Sequence, residues 1–220
     1  MSFKILVMSC DKNSDLWFPF YHCMEKYWKN HPEIIYCTET KVNPYYKTIC
    51  VDLPISSWTR RVYNAVKQIN TKDILLMCDD LFIRDYVCNT LIEVLCSFLI
   101  GGFGGLNMEK SFDNEDIPLC DKVMIRSKNG RFKTSVMCQL FQRRIMLDLF
   151  DCDIDPWLFE KNNDSKYYQF LISANGDFIN WGYGEHKWFG IKKGQWCREC
   201  KDFFDKEGIE IDYSIRGFAN

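Results

Sequence analysis

The sequence predicts an α/β protein with a mixed sheet flanked by helices and an antiparallel or irregular C-terminal half. In residues 1–110, apolar segments of strand length alternate with segments that carry apolar residues at helical spacing, an order typical of a parallel sheet. After about residue 120, polarity alternates along the chain instead, and Asn129 with Gly130 forms a strong hairpin-turn signal. The 220 residues suit a single domain, with 1–110 and 111–220 as its two halves.

The first half is predicted to alternate strands and helices because each apolar segment has the length or the period of one element. Ser14 and Ser57 are expected to cap the first two helices, and Pro19 falls in the first turn of a helix, where proline is tolerated. The predicted elements are a strand over 3–9, a helix over 15–29, a strand over 34–37, a short strand near 48–51, a helix over 58–69, a strand over 74–78 and a helix over 85–100.

In the second half, segments 122–126 and 133–140 are predicted to pair as an antiparallel hairpin through the turn at Asn129 and Gly130. Proline in a first turn and glycine after a last turn mark two of the helix ends. The remaining predicted elements are a helix over 143–150, a helix that begins near Pro156, strands or irregular loops over 178–193, and a helix over 196–207 that ends at Gly208.

Composition and charge argue against several classes of protein. The net charge of −2 at pH 7 argues against a general nucleic-acid binder. No apolar segment approaches the ~20 residues of a membrane span, so we expect peripheral membrane contact at most. The 12 cysteines are scattered, many stand in apolar segments, and no secretory signal opens the sequence. These features favour the cytoplasm, including the inner face of the cell membrane.

Two residue classes leave alternatives open. Aromatic residues make up 16% of the chain, which suits either a bulky core or a site that stacks on sugar rings. Cys197 and Cys200 form a C-x-x-C pair without a second pair or a histidine cluster, so a zinc site is not expected, whereas a redox role stays open.

Two adjacent carboxylates, Asp79 and Asp80, follow the predicted strand 74–78 directly. Adjacent carboxylates repel each other, and burying either ion is costly without a partner. The usual partner is a hard divalent cation, often shared with a diphosphate. In open α/β sheets, ligands bind outside the carboxyl ends of the strands, where this pair would lie. The alternative is a solvated turn after an edge strand, since Asp is common in turns.

Four blocks of sequence carry a resemblance to a known family. They are residues 5–11 (ILVMSCD) with 15–17 (DLW), residues 57–61 (SWTRR) with 74–82 (ILLMCDDLF), residues 139–143 (QLFQR) with 156–160 (PWLFE), and residues 191–196 (IKKGQW) with 209–212 (IEID) and Arg216. In order and spacing the blocks resemble small bacterial glycosyltransferases of the GT-A type, which build capsular and other cell-surface polysaccharides. The family's metal motif is usually Asp-x-Asp, or an acidic residue and Asp before an aromatic one, whereas here the two carboxylates are adjacent.

The resemblance implies a GT-A-like, Rossmann-type fold and transfer of a hexose from a nucleotide sugar, UDP-linked in the first instance, to a saccharide or lipid-linked saccharide acceptor. Charge grows on the diphosphate as the sugar leaves. A cation such as Mn²⁺ or Mg²⁺, held by Asp80 with Asp79 nearby, would stabilise that charge, which makes Asp80 a catalytic residue. Arg61 and Lys193 are candidates to assist because both residue types bind phosphate. The alternatives are a solvated helix face for Arg61 and a basic turn for Lys193.

The donor is expected to bind residues 1–110 and the acceptor residues 111–220. In such a sheet, the loop after the first strand would contact the base or ribose through Ser9 and Asp11, unless these residues only form a turn. Trp58 would either stack near the base or fill the core.

Glu160 is the candidate catalytic base, and it ends the family's aromatic block. A carboxylate among aromatic residues should have a raised pKa, which suits a base that deprotonates a sugar hydroxyl. Asp153 and Asp155 are the second choices, and a surface position on a helix is the structural alternative for Glu160.

Two other functions stay open. One is a non-catalytic domain of transferase-like fold that binds carbohydrate or nucleotide without turnover. The other is a nucleotidyltransferase, which usually carries a glycine-rich basic loop after its first strand, whereas residues 9–14 (SCDKNS) contain no glycine.

Overall fold

A computed structural model of the chain describes residues 3–110, 116–127, 134–162, 168–174, 178–181 and 190–219. The strands are β1 (Phe3–Met8), β2 (Ile34–Thr38), β3 (Lys47–Cys50), β4 (Asp73–Cys78), β5 (Gly105–Lys110), β6 (Ile117–Cys120), β7 (Val123–Ile125), β8 (Cys138–Gln142), β9 (Phe170–Ser173), β10 (Ile191–Lys192) and β11 (Gln195–Trp196). The α-helices are α1 (Trp17–Tyr27), α2 (Trp58–Gln68), α3 (Asn89–Ile100), α4 (Arg143–Leu149), α5 (Pro156–Asn162) and α6 (Arg198–Glu207). Short 3-10 helices lie at Asp11–Leu16, Ile55–Ser57 and Tyr213–Ile215.

A nine-stranded mixed sheet runs through the protein in the order β3-β2-β1-β4-β8-β5-β9-β7-β6. The first four strands in this order, β3, β2, β1 and β4, are parallel to one another. Strand β8 is antiparallel to both of its neighbours, β4 and β5, whereas β5 and β9 are parallel. The last two pairings, β9-β7 and β7-β6, are antiparallel. The predicted α/β class, with a parallel first half and a mixed second half, is confirmed.

Helices cover both faces of the sheet. Alternate residues of β1 and β4 point to opposite faces because side chains alternate along a strand. One face packs on α1, α3 and α6, and the other on α2, α4 and α5. The strands in the middle of the sheet are therefore buried on both sides, which explains their nearly continuous apolar sequence.

The predicted hairpin between segments 122–126 and 133–140 is wrong. Strand β7 pairs with β6 and β9, and β8 lies between β4 and β5 instead. All residues of β8 are buried, so this strand is more stable between two neighbours in the sheet than in a two-stranded hairpin. The turn at Asn129 and Gly130 lies outside the described residues.

Three predicted helix starts are also wrong. The first helix begins at Trp17 after the 3-10 helix, so Ser14 does not cap it, and the third begins at Asn89. Trp196 lies in β11, so the last helix begins at Arg198, and it ends as predicted at Gly208 with a left-handed φ of 70°. Ser57 stands at the start of α2 but makes no side-chain capping bond. None of the helices in the described residues has both the length and the apolar character needed to cross a membrane.

Candidate functional site

The carboxyl ends of β1, β2 and β4 lie side by side because these strands are parallel neighbours. The residues that follow them therefore meet at one edge of the sheet: Ser9 after β1, Glu39 after β2, and Asp79 with Asp80 after β4. Ligands in open α/β sheets bind at this kind of edge. The structure thus brings the sequence-predicted carboxylates and the loop after the first strand together.

Asp79 is buried at the end of β4, with 3% of its surface exposed, and both of its carboxylate oxygens are held. The hydroxyl of Ser9 donates to Oδ2 at 2.6 Å, and the side-chain amide of Asn13 donates to Oδ1 at 3.2 Å. The indole N–H of Trp17 donates to Ser9 Oγ at 2.8 Å, which fixes the hydroxyl proton toward Asp79. Ser9 is thus a partner of Asp79, and its contact with a nucleotide stays a prediction.

Both carboxyl groups are harder to ionise than an exposed aspartate. Burial, with a second contribution from the neighbouring charge of Asp80, raises the pKa of Asp79 to about 8, against the hydrogen bonds from Ser9 and Asn13. Burial raises the pKa of Asp80 to about 6, and the positive charge of Arg216 opposes this increase. A cation bound at this edge would stabilise the ionised form of both carboxyl groups and would therefore lower these pKa values.

The two carboxylates fit a hard divalent cation, with different roles for each. Asp79 is anchored from behind by its donors, whereas Asp80 is only partly buried and has no described side-chain donor. Asp80 would therefore be the direct ligand, and Asp79 would lie beside it. No group of three or more His, Cys, Asp or Glu side chains placed to hold a metal occurs among the described residues. Mg²⁺-type sites commonly complete their shell with waters and substrate phosphates.

Sequence reasoning missed Arg216 as a site residue. Its Nε and Nη2 donate to the two carboxylate oxygens of Asp15 at 2.7 and 2.6 Å, and Nη2 also donates to Asn13 Oδ1 at 2.9 Å. The only sequence signal was that Arg216 ends the fourth block of the resemblance and Asp15 stands in the first. The separation of 201 residues hides the contact in the sequence.

The C-terminal segment also touches the end of β4 through Gly190. The Gly190 amide donates to the carbonyl of Asp80 at 3.1 Å. A Cβ on Gly190 would lie 2.1 Å from a ring carbon of Phe82, so only glycine allows the backbone to approach this closely. The Phe82 ring stacks on Trp196 at 5.9 Å between centroids, which joins the turn after Asp80 to β11.

Arg61 does not face the site as a free cation. Only 1% of it is exposed, because Nη1 donates to Glu39 Oε1 at 2.8 Å and Nη2 donates to the carbonyl of Ser9 at 2.7 Å. Arg61 is buried and supports the loops after β1 and β2, so it does not lie on a solvated helix face, and its contact with a diphosphate stays a prediction. Glu39 is a second residue that the sequence did not reveal, since its role depends on this buried partner.

Asp11 joins the same two loops. Its carboxylate accepts hydrogen bonds from the amides of Thr40 and Lys41 at 3.1 and 2.9 Å, and its own amide donates to Glu39 Oε2 at 2.5 Å. Burial is the largest single effect and opposes ionisation, but the hydrogen bonds from Thr40 and Lys41 together outweigh it and lower the pKa of Asp11 to about 2. Asp11 is thus an ionised tie between loops, and its contact with a nucleotide stays a prediction.

Trp58 and Lys193 lie in contrasting places. Trp58 is 5% exposed and packs against Phe150 and Phe159, so a base could not stack on its ring without displacing them. This packing favours the core role for Trp58, and its contact with a nucleotide base stays a prediction. Lys193 is exposed at the tip of the β10–β11 hairpin, with a φ of 52° followed by 82° at Gly194. Its contact with a phosphate stays a prediction.

Glu160 reaches the same edge of the sheet from α5. Its Oε1 accepts the amide of Val136 at 3.0 Å, just before β8, and Val136 accepts a bond from the Cys78 thiol at 3.6 Å. Burial raises the pKa of Glu160, partly offset by this amide. The alternative candidate Asp155 instead accepts the amide of Leu158 at 2.8 Å at the start of α5. The raised pKa agrees with the sequence argument, and the catalytic role stays a prediction.

The cysteine pair does not have the properties of a reactive site. Cys197 and Cys200 are both buried and form no disulfide, and burial raises the pKa of each. A thiol with a raised pKa forms little thiolate, which is the nucleophile in redox exchange. The structure therefore favours a packing role for this pair.

No protein-family model matches the chain, and no curated protein sequence does. Among solved structures, S. aureus TarS has a TM-score of 0.54 at 13% identity, over 81% of this chain and 36% of TarS. TarS 1–349 in complex with UDP gives 0.54 at 13%, over 80% and 58%. A cytidylyltransferase from Leptospira borgpetersenii gives 0.51 at 12%, over 80% and 77%. CMP:2-keto-3-deoxy-manno-octonic acid synthetase complexed with CTP gives 0.50 at 8%, over 80% and 92%.

These likenesses show the fold. The chain spans only 36% of TarS, 77% of the cytidylyltransferase and 92% of the synthetase. The chain therefore shares a mixed α/β fold with these proteins.

We expect the stability of the metal-free protein to fall as pH rises from about 4 to about 8, because folded Asp79 keeps its proton up to a pKa of about 8. In the unfolded chain its pKa returns to about 4, so below this pH both the folded and the unfolded state hold the proton. The contribution of Asp79 to the free energy of unfolding then has its full value. Above this pH only the folded state holds the proton, and each pH unit costs up to about 1.4 kcal/mol until the folded group ionises. Urea unfolding at several pH values measures this loss.

Asp79→Asn should flatten the pH dependence, since the amide cannot ionise. The control Asp151→Asn removes an exposed carboxylate paired with Arg60 and should keep the wild-type slope. Equal slopes for the wild type and Asp79→Asn would contradict the burial of an ionisable Asp79.

Proposed function

We propose that the protein is a glycosyltransferase that moves a hexose from a nucleotide sugar, UDP-linked in the first instance, to a saccharide or lipid-linked saccharide acceptor in the synthesis of cell-surface polysaccharide such as capsule. The observation that carries the proposal is the carboxylate pair at the end of β4, with Asp79 anchored and Asp80 left to act as a ligand. The TarS complex with UDP supports the nucleotide, as a likeness of fold.

Asp80 and Glu160 have separate roles in the proposed transfer reaction. A divalent cation on Asp80 would supply positive charge for the departing diphosphate. Glu160 accepts the proton of the acceptor hydroxyl while the hydroxyl oxygen bonds to the anomeric carbon and the bond from that carbon to the diphosphate breaks. The donor occupies the edge formed by the loops after β1, β2 and β4, and the acceptor approaches from the side of α5.

Nucleotidyl transfer is the second candidate, and the cytidylyltransferase likenesses favour it. That reaction must hold a triphosphate, commonly on a glycine-rich basic loop after the first strand. In this chain the corresponding segment lacks glycine and forms the 3-10 helix Asp11–Leu16. Its Asp11 and Asn13 are committed to Thr40 and Asp79, which favours glycosyl transfer. A non-catalytic binding domain is the third candidate.

A donor panel tests the three candidates together. The protein is incubated with Mn²⁺ and UDP-hexoses or other nucleotide sugars, with and without saccharide acceptors, and release of the nucleoside diphosphate is measured. A parallel set contains CTP and sugar acids or sugar phosphates, and release of pyrophosphate is measured. We expect diphosphate release only in the first set. Pyrophosphate release would identify a nucleotidyltransferase, and binding without turnover would identify a binding domain.

We expect Asp80→Asn to weaken Mn²⁺-dependent binding of UDP by at least about tenfold, because the variant keeps the shape but loses the charge of a direct ligand. Calorimetric titration of UDP in MnCl₂ measures the affinity, and thermal unfolding checks the fold. Asp202→Asn, which changes an exposed carboxylate on α6, is the matched control and should bind as the wild type does. Turnover that is unchanged in chelator and in Asp80→Asn would exclude the metal role.

We expect Glu160→Gln to keep the fold and donor binding but to lose turnover by about 10²–10⁴-fold, the usual contribution of a positioned base. The glutamine oxygen can still accept the amide of Val136, so the start of β8 keeps its partner. Steady-state kinetics with saturating donor measure the loss. Near-normal turnover in Glu160→Gln, with Asp153→Asn or Asp155→Asn inactive, would move the role to one of those residues.

A further inference from the structure

The side-chain amide of Asn13 lies between a cation and a carboxylate. Arg216 Nη2 is 2.9 Å from Asn13 Oδ1, and Asn13 Nδ2 is 3.2 Å from Asp79 Oδ1. A guanidinium can only donate hydrogen bonds, so the oxygen of the amide must face Arg216. The NH₂ group then faces Asp79, whose Oδ1 accepts its hydrogen bond.

We propose that Arg216 is a positioning residue of the donor site, which acts through Asn13 to orient Asp79 beside the metal ligand Asp80. The proposal rests on the proposed function and adds to it a residue from the far end of the chain. Arg216 holds the oxygen of the Asn13 amide, so the NH₂ group stays aimed at Asp79. Together with the hydroxyl of Ser9, this amide holds the Asp79 carboxylate from two sides.

The fork of the guanidinium is needed, and a charge alone would not suffice. Nε and Nη2 bind both oxygens of Asp15, while the same Nη2 reaches Asn13. A lysine ammonium carries an equal charge but cannot present parallel donors to a carboxylate and also reach the amide. Arg216→Lys would keep the positive charge beside Asp15 and would remove the geometry of the fork.

The chain around Arg216 is held by strand β11 and by the turn before it. Gly217 accepts the amide of Trp196 at 3.0 Å, and Ala219 donates to the carbonyl of Trp196 at 2.9 Å. The remaining nitrogen of the fork, Nη1, lies 3.4 Å from the carbonyl of Gly194 in the β10–β11 turn. The backbone is thus fixed directly after Arg216, and the guanidinium itself touches the β10–β11 turn, as a positioning role requires.

Two substitutions that conserve charge test the proposal. Arg216→Lys removes the fork, and Asn13→Ala removes the amide, and neither changes the net charge near Asp80. Arg143→Lys is the matched control, since Arg143 also bridges two elements: it begins α4, and its Nε and Nη2 donate to the carbonyls of Val66 and Lys67 in the last turn of α2. Binding of UDP with MnCl₂ is measured by calorimetry for each variant and for the double variant.

We expect each single variant to bind Mn²⁺ and UDP about tenfold more weakly, and the double variant to bind no more weakly than either, because both changes break one chain of contacts. Arg143→Lys should bind as the wild type does. Additive losses in the double variant, or unchanged binding in both single variants, would overturn the proposal.

A second measurement needs no ligand. The indole N–H of Trp17 donates to Ser9, which donates to Asp79, so its NMR resonance reports the orientation of this network. We expect this resonance to shift in Arg216→Lys and in Asn13→Ala, and to stay in place in Arg143→Lys. An unmoved resonance in both site variants would contradict the positioning role. A wild type that binds no nucleoside diphosphate, with the resonance shifting as expected, would contradict the proposed function alone.

Discussion

The carboxylate of Asp79 stands at the end of a strand that is buried on both faces, where an ion is costly unless it is surrounded by donors or countercharge. One loop that is distant from Asp79 in sequence supplies both donors, Ser9 and Asn13. Trp17 orders Ser9, and Arg216 orders Asn13. The loop after β1, the first helix and the C-terminal segment are therefore arranged around one buried acidic group.

That arrangement leaves the site with a deficit of positive charge. Donors hold Asp79 in place, but they do not bring its pKa back to that of an exposed aspartate, and the pKa of Asp80 is raised as well. A proton or a cation must supply what is missing. A cation shared with a diphosphate would meet this need and would also form a binding site, and this is the physical argument for the proposed nucleotide-dependent transferase.

The sequence predicts what depends on local patterns. Strands β1 and β4 are recognisable because burial on both faces leaves a continuous apolar segment, and the adjacent carboxylates stand out directly after β4. Strand β8 is placed wrongly by sequence, since a turn signal describes neighbouring residues and β8 finds its partners in β4 and β5. The same limit applies to the site. Nothing in the residues around Arg61 shows that it is buried against Glu39 and Ser9.

The contacts of Gly190 and Arg216 cross the predicted boundary between residues 1–110 and 111–220. Both residues belong to the half 111–220, yet Gly190 binds the carbonyl of Asp80 and Arg216 binds the side chain of Asn13. The proposed donor site is therefore formed by loops of residues 1–110, but residues from 111–220 hold those loops in place. Because the last described segment fixes residues on both sides of the buried carboxylate, the orientation of the proposed metal ligands depends on contacts that form only when the two ends of the chain come together.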